Sequence, residues 1–162
     1  MTDLKSKEIR SEITSEGKLN LSIVTSDVPT PSDDEVLIKV EASPINPSDL
    51  GLLISFAADL DSISSQGSGD DTVTTMGIHP GLMQSMKPRI DKSMKVGNEG
   101  GGGVVDAGKN AKNLIGKTVG VAGGAMYSQY RCLPAMSCLV MNEGTTSAEA
   151  CLLYTSDAAD DA

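Results

Sequence analysis

Aromatic residues are almost absent from this 162-residue chain, which has no tryptophan, one phenylalanine and three tyrosines. Any core must therefore pack Val, Ile, Leu and Met, which a hydrophobic fraction of 39% allows. Cysteine is scarce as well. Cys132, Cys138 and Cys151 are odd in number and form no CxxC, which excludes a disulfide framework and fits free thiols in a reducing cytoplasm. The single histidine, His79, has no Cys or His neighbour in sequence to share a metal with. No window approaches the ~18 apolar residues of a membrane span. The start, Met1-Thr2-Asp3-Leu4-Lys5, lacks the charged-then-apolar order of a signal peptide. Basic residues are outnumbered, 13 Lys and Arg against 22 Asp and Glu, for a net charge of −9 with no basic patch. That excludes a nucleic-acid surface and leaves a soluble, cytoplasmic, single-domain chain as the expectation.

Strand patterns dominate what is present. Residues 8–13 and 18–26 read as two strands about a turn at Glu16-Gly17, with Leu19, Leu21 and Ile23 alternating with polar neighbours. Residues 35–42 alternate most clearly, Val36, Ile38 and Val40 facing one way and Lys39 and Glu41 the other. Pro44 and Pro47 end that strand, and Ser48 or Asp49 is placed to cap a short helix through Leu53. Residues 59–75 shift to Ser, Gly, Asp and Thr and read as a flexible surface loop. Residues 80–86 read as a short helix with proline in its first turn, its methionines filling core. Short strands follow at 103–106, 117–122, 127–133 and 138–141, and Tyr127 and Tyr130 fall in one of them. The run Thr145 to Ala150 opens a helix through a hydroxyl cap with glutamate following. Many short strands, glycine turns and little helix argue a small β-barrel or sandwich.

Two polar stretches stand out. One is Val96-Gly97-Asn98-Glu99-Gly100-Gly101-Gly102-Gly103-Val104-Val105, where four glycines without Cβ atoms let the chain turn sharply or another group approach closely. The other is Ile45-Asn46-Pro47-Ser48-Asp49. A dinucleotide fingerprint requires spaced glycines that open a helix, whereas these glycines run into Val104-Val105, a strand.

The end of the chain, from Cys151-Leu152-Leu153-Tyr154 to Asp160-Asp161, is small and acidic with no apolar face. It resembles the translation of a transposon-end sequencing adapter, which implies a native domain over 1–150 and a non-native tail over 151–162.

Five motifs in order give the chain a wider resemblance, over about Val28 to Ala150. Val36-Leu37-Ile38-Lys39-Val40-Glu41-Ala42, Ile45-Asn46-Pro47-Ser48-Asp49, Gly97-Asn98-Glu99-Gly100, Gly116-Lys117-Thr118-Val119 and Gly124-Ala125-Met126-Tyr127-Ser128-Gln129-Tyr130 are similar to the N-terminal half of medium-chain dehydrogenase/reductases, in their zinc-free, quinone-oxidoreductase-like branch. The resemblance implies a GroES-like, partly open β-barrel with short helices, truncated before a Rossmann domain. Zinc-dependent relatives carry Cys where this chain has Asn46 and His where it has Asn98, and neutral amides are poor zinc ligands. The long polar segment 56–93 exceeds what many members place between these motifs.

Without a Lewis acid, hydrogen-bond donors favour acceptors already electrophilic through conjugation, such as quinones, enones or enals. The resemblance implies NADPH as hydride donor, no zinc, Asn46 and Ser48 as catalytic donors, and Asp49, Asn98 and Glu99 lining the cleft. For Asp49 and Glu99, buttressing the two loops is the alternative role. It also implies a homodimeric parent acting on a small conjugated carbonyl, with this fragment inactive by itself. A stand-alone GroES-like interaction module of co-chaperonin type is the other reading, and segment 59–75 carries neither its apolar mobile loop nor a ring interface.

Overall fold

The computed structural model describes residues 4–152, so that most of the acidic tail, residues 153–162, lies outside the described residues. Two five-stranded antiparallel sheets make up the fold. The first contains β1 (Lys5–Ile13), β2 (Lys18–Asp27), β4 (Ala58–Gln66), β5 (Val73–Ile78) and β6 (Met94–Lys95), in the order β4-β5-β2-β1-β6. The second contains β3 (Glu35–Ala42), β7 (Gly100–Ala107), β8 (Thr118–Val121), β9 (Tyr130–Pro134) and β10 (Cys138–Val140), in the order β10-β8-β7-β3-β9. They are not closed into a barrel. Helix α1 (Pro47–Leu53) follows β3, and α2 (Ser147–Leu152) lies on β7 and β8.

Each sheet carries its own core. Val36, Ile38, Val104, Val119, Val121 and Leu133 pack in the second sheet, as the alternation in β3 predicts. Ile13, Leu19, Ala57, Met76, Ile78 and Met86 pack in the first. Strand β1 links the two, because Ile9 N donates to Tyr127 O (2.9 Å) and Gln129 N to Lys7 O (2.9 Å).

Three expectations are corrected. Segment 59–75 is no loop but most of the β4–β5 hairpin, closed by a short 3-10 turn at Gly69–Asp71. Its residues are largely exposed, so no apolar alternation marks it, and cross-strand polar pairs such as Ser65 Oγ with Thr74 Oγ1 (2.9 Å) run along it instead. Residues 80–86 form only a 3-10 turn at Pro80–Leu82, although Met86 does sit in the core. Gly100 to Gly103 do not turn. They form the first half of β7, between β3 and β8. Close approach is what they provide: a Cβ on Gly102 would lie 2.0 Å from Lys39 O, and one on Gly101 would lie 2.3 Å from Ser147 O of α2.

Helix α2 begins with the predicted hydroxyl cap. Thr146 N donates to Glu149 Oε2 (2.8 Å) and Glu149 N to Thr146 Oγ1 (3.2 Å). Its buried side, Ala150 and Cys151, faces the glycines of β7 and β8.

Candidate functional site

Three loops meet where β3 runs into α1. The first, residues 43–46, leaves β3 and enters α1, whose N-cap is Asn46 rather than Ser48 or Asp49. Asp49 instead occupies the third helical position, where its Oδ2 accepts the Asn46 backbone N–H at 2.9 Å. Pro47 fits the first helical position, since its missing N–H has no intrahelical partner to lose. At the other end, Arg89 Nη1 donates to Gly51 O (3.0 Å), while Arg89 Nη2 and Ser11 Oγ donate to Leu52 O (2.7 Å) and Leu53 O (2.9 Å). Both ends of α1 are thereby pinned.

The second loop, residues 96–99, reaches the same place from β6. Asp49 binds it too, its Oδ1 accepting the Asn98 backbone N–H at 2.8 Å. Asp49 is 1% exposed, and one carboxylate therefore joins the two loops through two charge-assisted bonds. The side chains add two more ties. Asn98 Nδ2 donates to Ser48 Oγ (3.2 Å) and Asn46 Nδ2 to Glu99 Oε2 (3.3 Å). The Asn46 amide orientation follows from Glu99, since the flipped amide would set its oxygen against a carboxylate. All five residues singled out in the sequence, Asn46, Ser48, Asp49, Asn98 and Glu99, thus lie in one cluster. Ser48 is exposed, and Asn46, Asn98 and Glu99 are half-buried.

The third loop, 123–127, falls in a motif singled out in the sequence, but the sequence reading puts Tyr127 in a strand and not at the site. Tyr127 does not lie in a strand but ahead of β9. Its ring covers Gly97 so closely that a Cβ there would be 2.5 Å from Tyr127 Cδ1, and Gly97 takes φ +89°. The Tyr127 hydroxyl donates to Pro44 O at 2.9 Å. Burial, and after it the negative charge of Asp49, push this phenol up to about 12. The aromatic three residues before the predicted strand tyrosine was the available signal, but its spacing alone could not tell loop from strand.

Among the described residues no three His, Cys, Asp or Glu side chains gather to hold a metal ion. The amides at 46 and 98 turn their NH2 groups to Glu99 and Ser48, and an NH2 group offers a metal no lone pair. A groove of about 570 Å³ between Leu139 and Glu149 lies away from these residues.

No protein-family profile matches the chain, and no curated protein matches it in sequence. Solved structures do. The quinone oxidoreductase from Coxiella burnetii superposes over 93% of this chain with a TM-score of 0.58 and 18% identity. The chain carries part of the quinone-oxidoreductase fold. The mycobacterial protein Rv1454c, solved as a complex with NADPH, shares that fold over 88% of the chain at TM-score 0.55 and 19% identity. The CurK enoyl reductase shares it over 91% at 0.59 and 15%. The chain spans only 41%, 34% and 39% of the length of these three proteins.

Proposed function

We propose that this chain is the substrate-side part of a zinc-independent, NADPH-dependent reductase that passes hydride to a conjugated carbonyl such as a quinone, enone or enal. The observation that carries the reading is the amide pair, Asn46 and Asn98, held in one cluster by the two-ended Asp49 carboxylate. The reduced nicotinamide supplies the hydride.

The chain's own residues bind and orient the acceptor oxygen. Ser48 Oγ accepts from Asn98, which leaves the Ser48 proton free to donate into the cleft. Asn46 has one amide hydrogen on Glu99 and a second to offer. Two neutral donors stabilise negative charge that develops on the oxygen as hydride arrives. Such donors polarise less than a metal does, hence the preference for acceptors already activated by conjugation.

The pyrophosphate of the cofactor does not fit the described residues. It wants a glycine turn that opens a helix, and Gly100 to Gly103 are instead engaged in a ladder with β3 and β8. In this reading the nicotinamide grip lies outside residues 4–152, and the parent is a cytoplasmic homodimer. Acidic charge favours a small-molecule partner over a nucleic acid, and among the described residues no helix is long and apolar enough to cross a membrane.

The test is an assay of this chain joined to the reading frame that follows it. Benzoquinone or an enone should then drive NADPH consumption, at a rate that EDTA leaves unchanged. No consumption, or a rate lost to EDTA and restored by zinc, overturns the reading. The 162-residue chain alone should show no micromolar NADPH binding by calorimetry.

A further inference from the structure

Tyr127 spends every polar group it has on a different segment. Its backbone N donates to Val96 O (3.1 Å), its backbone O accepts from Ile9 N (2.9 Å), and its hydroxyl donates to Pro44 O (2.9 Å). Those partners belong to the second site loop, to β1 and to the first site loop. Around it, Gly124 N donates to Asn98 O (3.0 Å), Met126 N to Gly97 O (3.1 Å) and Ser43 Oγ to Met126 O (3.0 Å). The third loop is therefore stitched to both of the others, and Ala125, at φ 60°, takes a left-handed turn to bring Tyr127 into place.

Asp49 and the two side-chain ties, Asn98 to Ser48 and Asn46 to Glu99, join the asparagine loops directly to each other. A further attachment runs through Gly97 and Pro44. The Tyr127 ring provides it, because its edge occupies the space of the missing Gly97 side chain while its hydroxyl reaches Pro44, two residues before Asn46.

We infer that Tyr127 is the positioning residue of the cleft, a strut whose hydroxyl and ring together fix the gap between Asn46 and Asn98. Its significance for chemistry rests on the reductase reading above; its geometry does not. A fixed gap holds the two donors ready before substrate arrives, so no reorganisation is needed as charge develops. The hydroxyl itself is committed to the Pro44 carbonyl, and its raised ionisation keeps it a donor across the physiological range.

The test uses Tyr127→Phe in the 162-residue chain, which deletes the hydroxyl and keeps the ring. Amide hydrogen exchange at Asn46 and Asn98 should rise by roughly fivefold, the factor expected for one lost hydrogen bond, while the β4–β5 hairpin exchanges as before. A uniform rise across the chain would mark a merely structural role and overturn the inference, as would unchanged exchange at both asparagines. A spectroscopic signature goes with it. The chain has three tyrosines and no tryptophan, so tyrosinate absorbance is unobscured, and a tyrosinate transition at about 12 should vanish in the variant. Should the variant not fold, the wild-type hydroxyl proton decides. It should be slowly exchanging, with a nuclear Overhauser contact to Pro44, and its absence sinks the strut. Failure of the reductase reading would show only in the NADPH assay and would leave these exchange results standing.

Discussion

Asp49 shows how one side chain can organise a cleft. Its carboxylate accepts backbone N–H groups from Asn46 and from Asn98, which lie on loops that enter from different sheets, and solvent reaches almost none of it. Asp49→Asn keeps the size but replaces one acceptor with a donor that faces an N–H. We expect it to cost about 2–3 kcal/mol of stability, the range for hydrogen bonds to a charged group, as read from urea denaturation. A variant as stable as wild type would show that the two loops hold without it. At this scale the sequence was informative. Asn46, Ser48 and Asp49 follow the predicted strand 35–42, Asn98 and Glu99 precede the one predicted at 103, and the family resemblance is what joined the two polar stretches into one cleft. Tyr127 was not legible, because its partner is a backbone carbonyl and its seat is the absence of a side chain at Gly97.

Strands with one buried face declare themselves through alternation, and those without it do not. The bounds of β3 are legible to the residue, since Val36 and Ile38 are fully buried and Lys39 and Glu41 exposed. The β4–β5 hairpin offers no such contrast, being exposed along most of β4, and its Ser and Thr composition resembles that of a loop. In β7 the predicted strand starts at residue 103, where the structure starts it at Gly100, because glycines carry no side-chain pattern to read. Those glycines differ among themselves, and this can be measured. Gly102→Ala would put a Cβ 2.0 Å from Lys39 O and must part β7 from β3, so a loss of about 3 kcal/mol or more in thermal or urea denaturation is expected. Gly103→Ala meets nothing within 4 Å and should be neutral or gain about 0.5 kcal/mol from the restricted unfolded chain. Equal effects at the two positions would contradict the packing described here.

Over the whole molecule, two cores are joined by few segments, and β1 carries much of the connection. Arg10 of β1 lies opposite Lys95 of β6, a like-charge pair across two strands. Glu8 resolves it, with one oxygen on Arg10 and the other 3.1 Å from Lys95 Nζ. Burial pushes the Glu8 carboxyl up, but hydrogen bonds and charge from Arg10 and Lys95 outweigh it and hold Glu8 below the ordinary 4.5. Stabilisation by Glu8 is therefore complete above the unfolded carboxylate range and disappears as pH falls through its lower folded value. Glu8→Gln should lower stability by about 1–2 kcal/mol at neutral pH, and the gap from wild type should close in urea titrations as pH falls through the lowered Glu8 value. A gap that persists in acid would assign the effect to shape instead of charge. None of this was legible in the sequence, which places Glu8, Arg10 and Lys95 in register only once β6 is known to pair with β1.

The bare backbone of β7 also has a genetic consequence. Glycine is the smallest residue the code offers, so every missense change at Gly100, Gly101 or Gly102 adds volume where β3, α2 or Ser43 already stands. At Gly100 the Met126 and Ser43 side-chain ends can give way. At Gly101 and Gly102 the obstructing atoms are backbone, so no conservative replacement exists, and drift can leave those codons only through synonymous substitution or a compensating retreat of the neighbours.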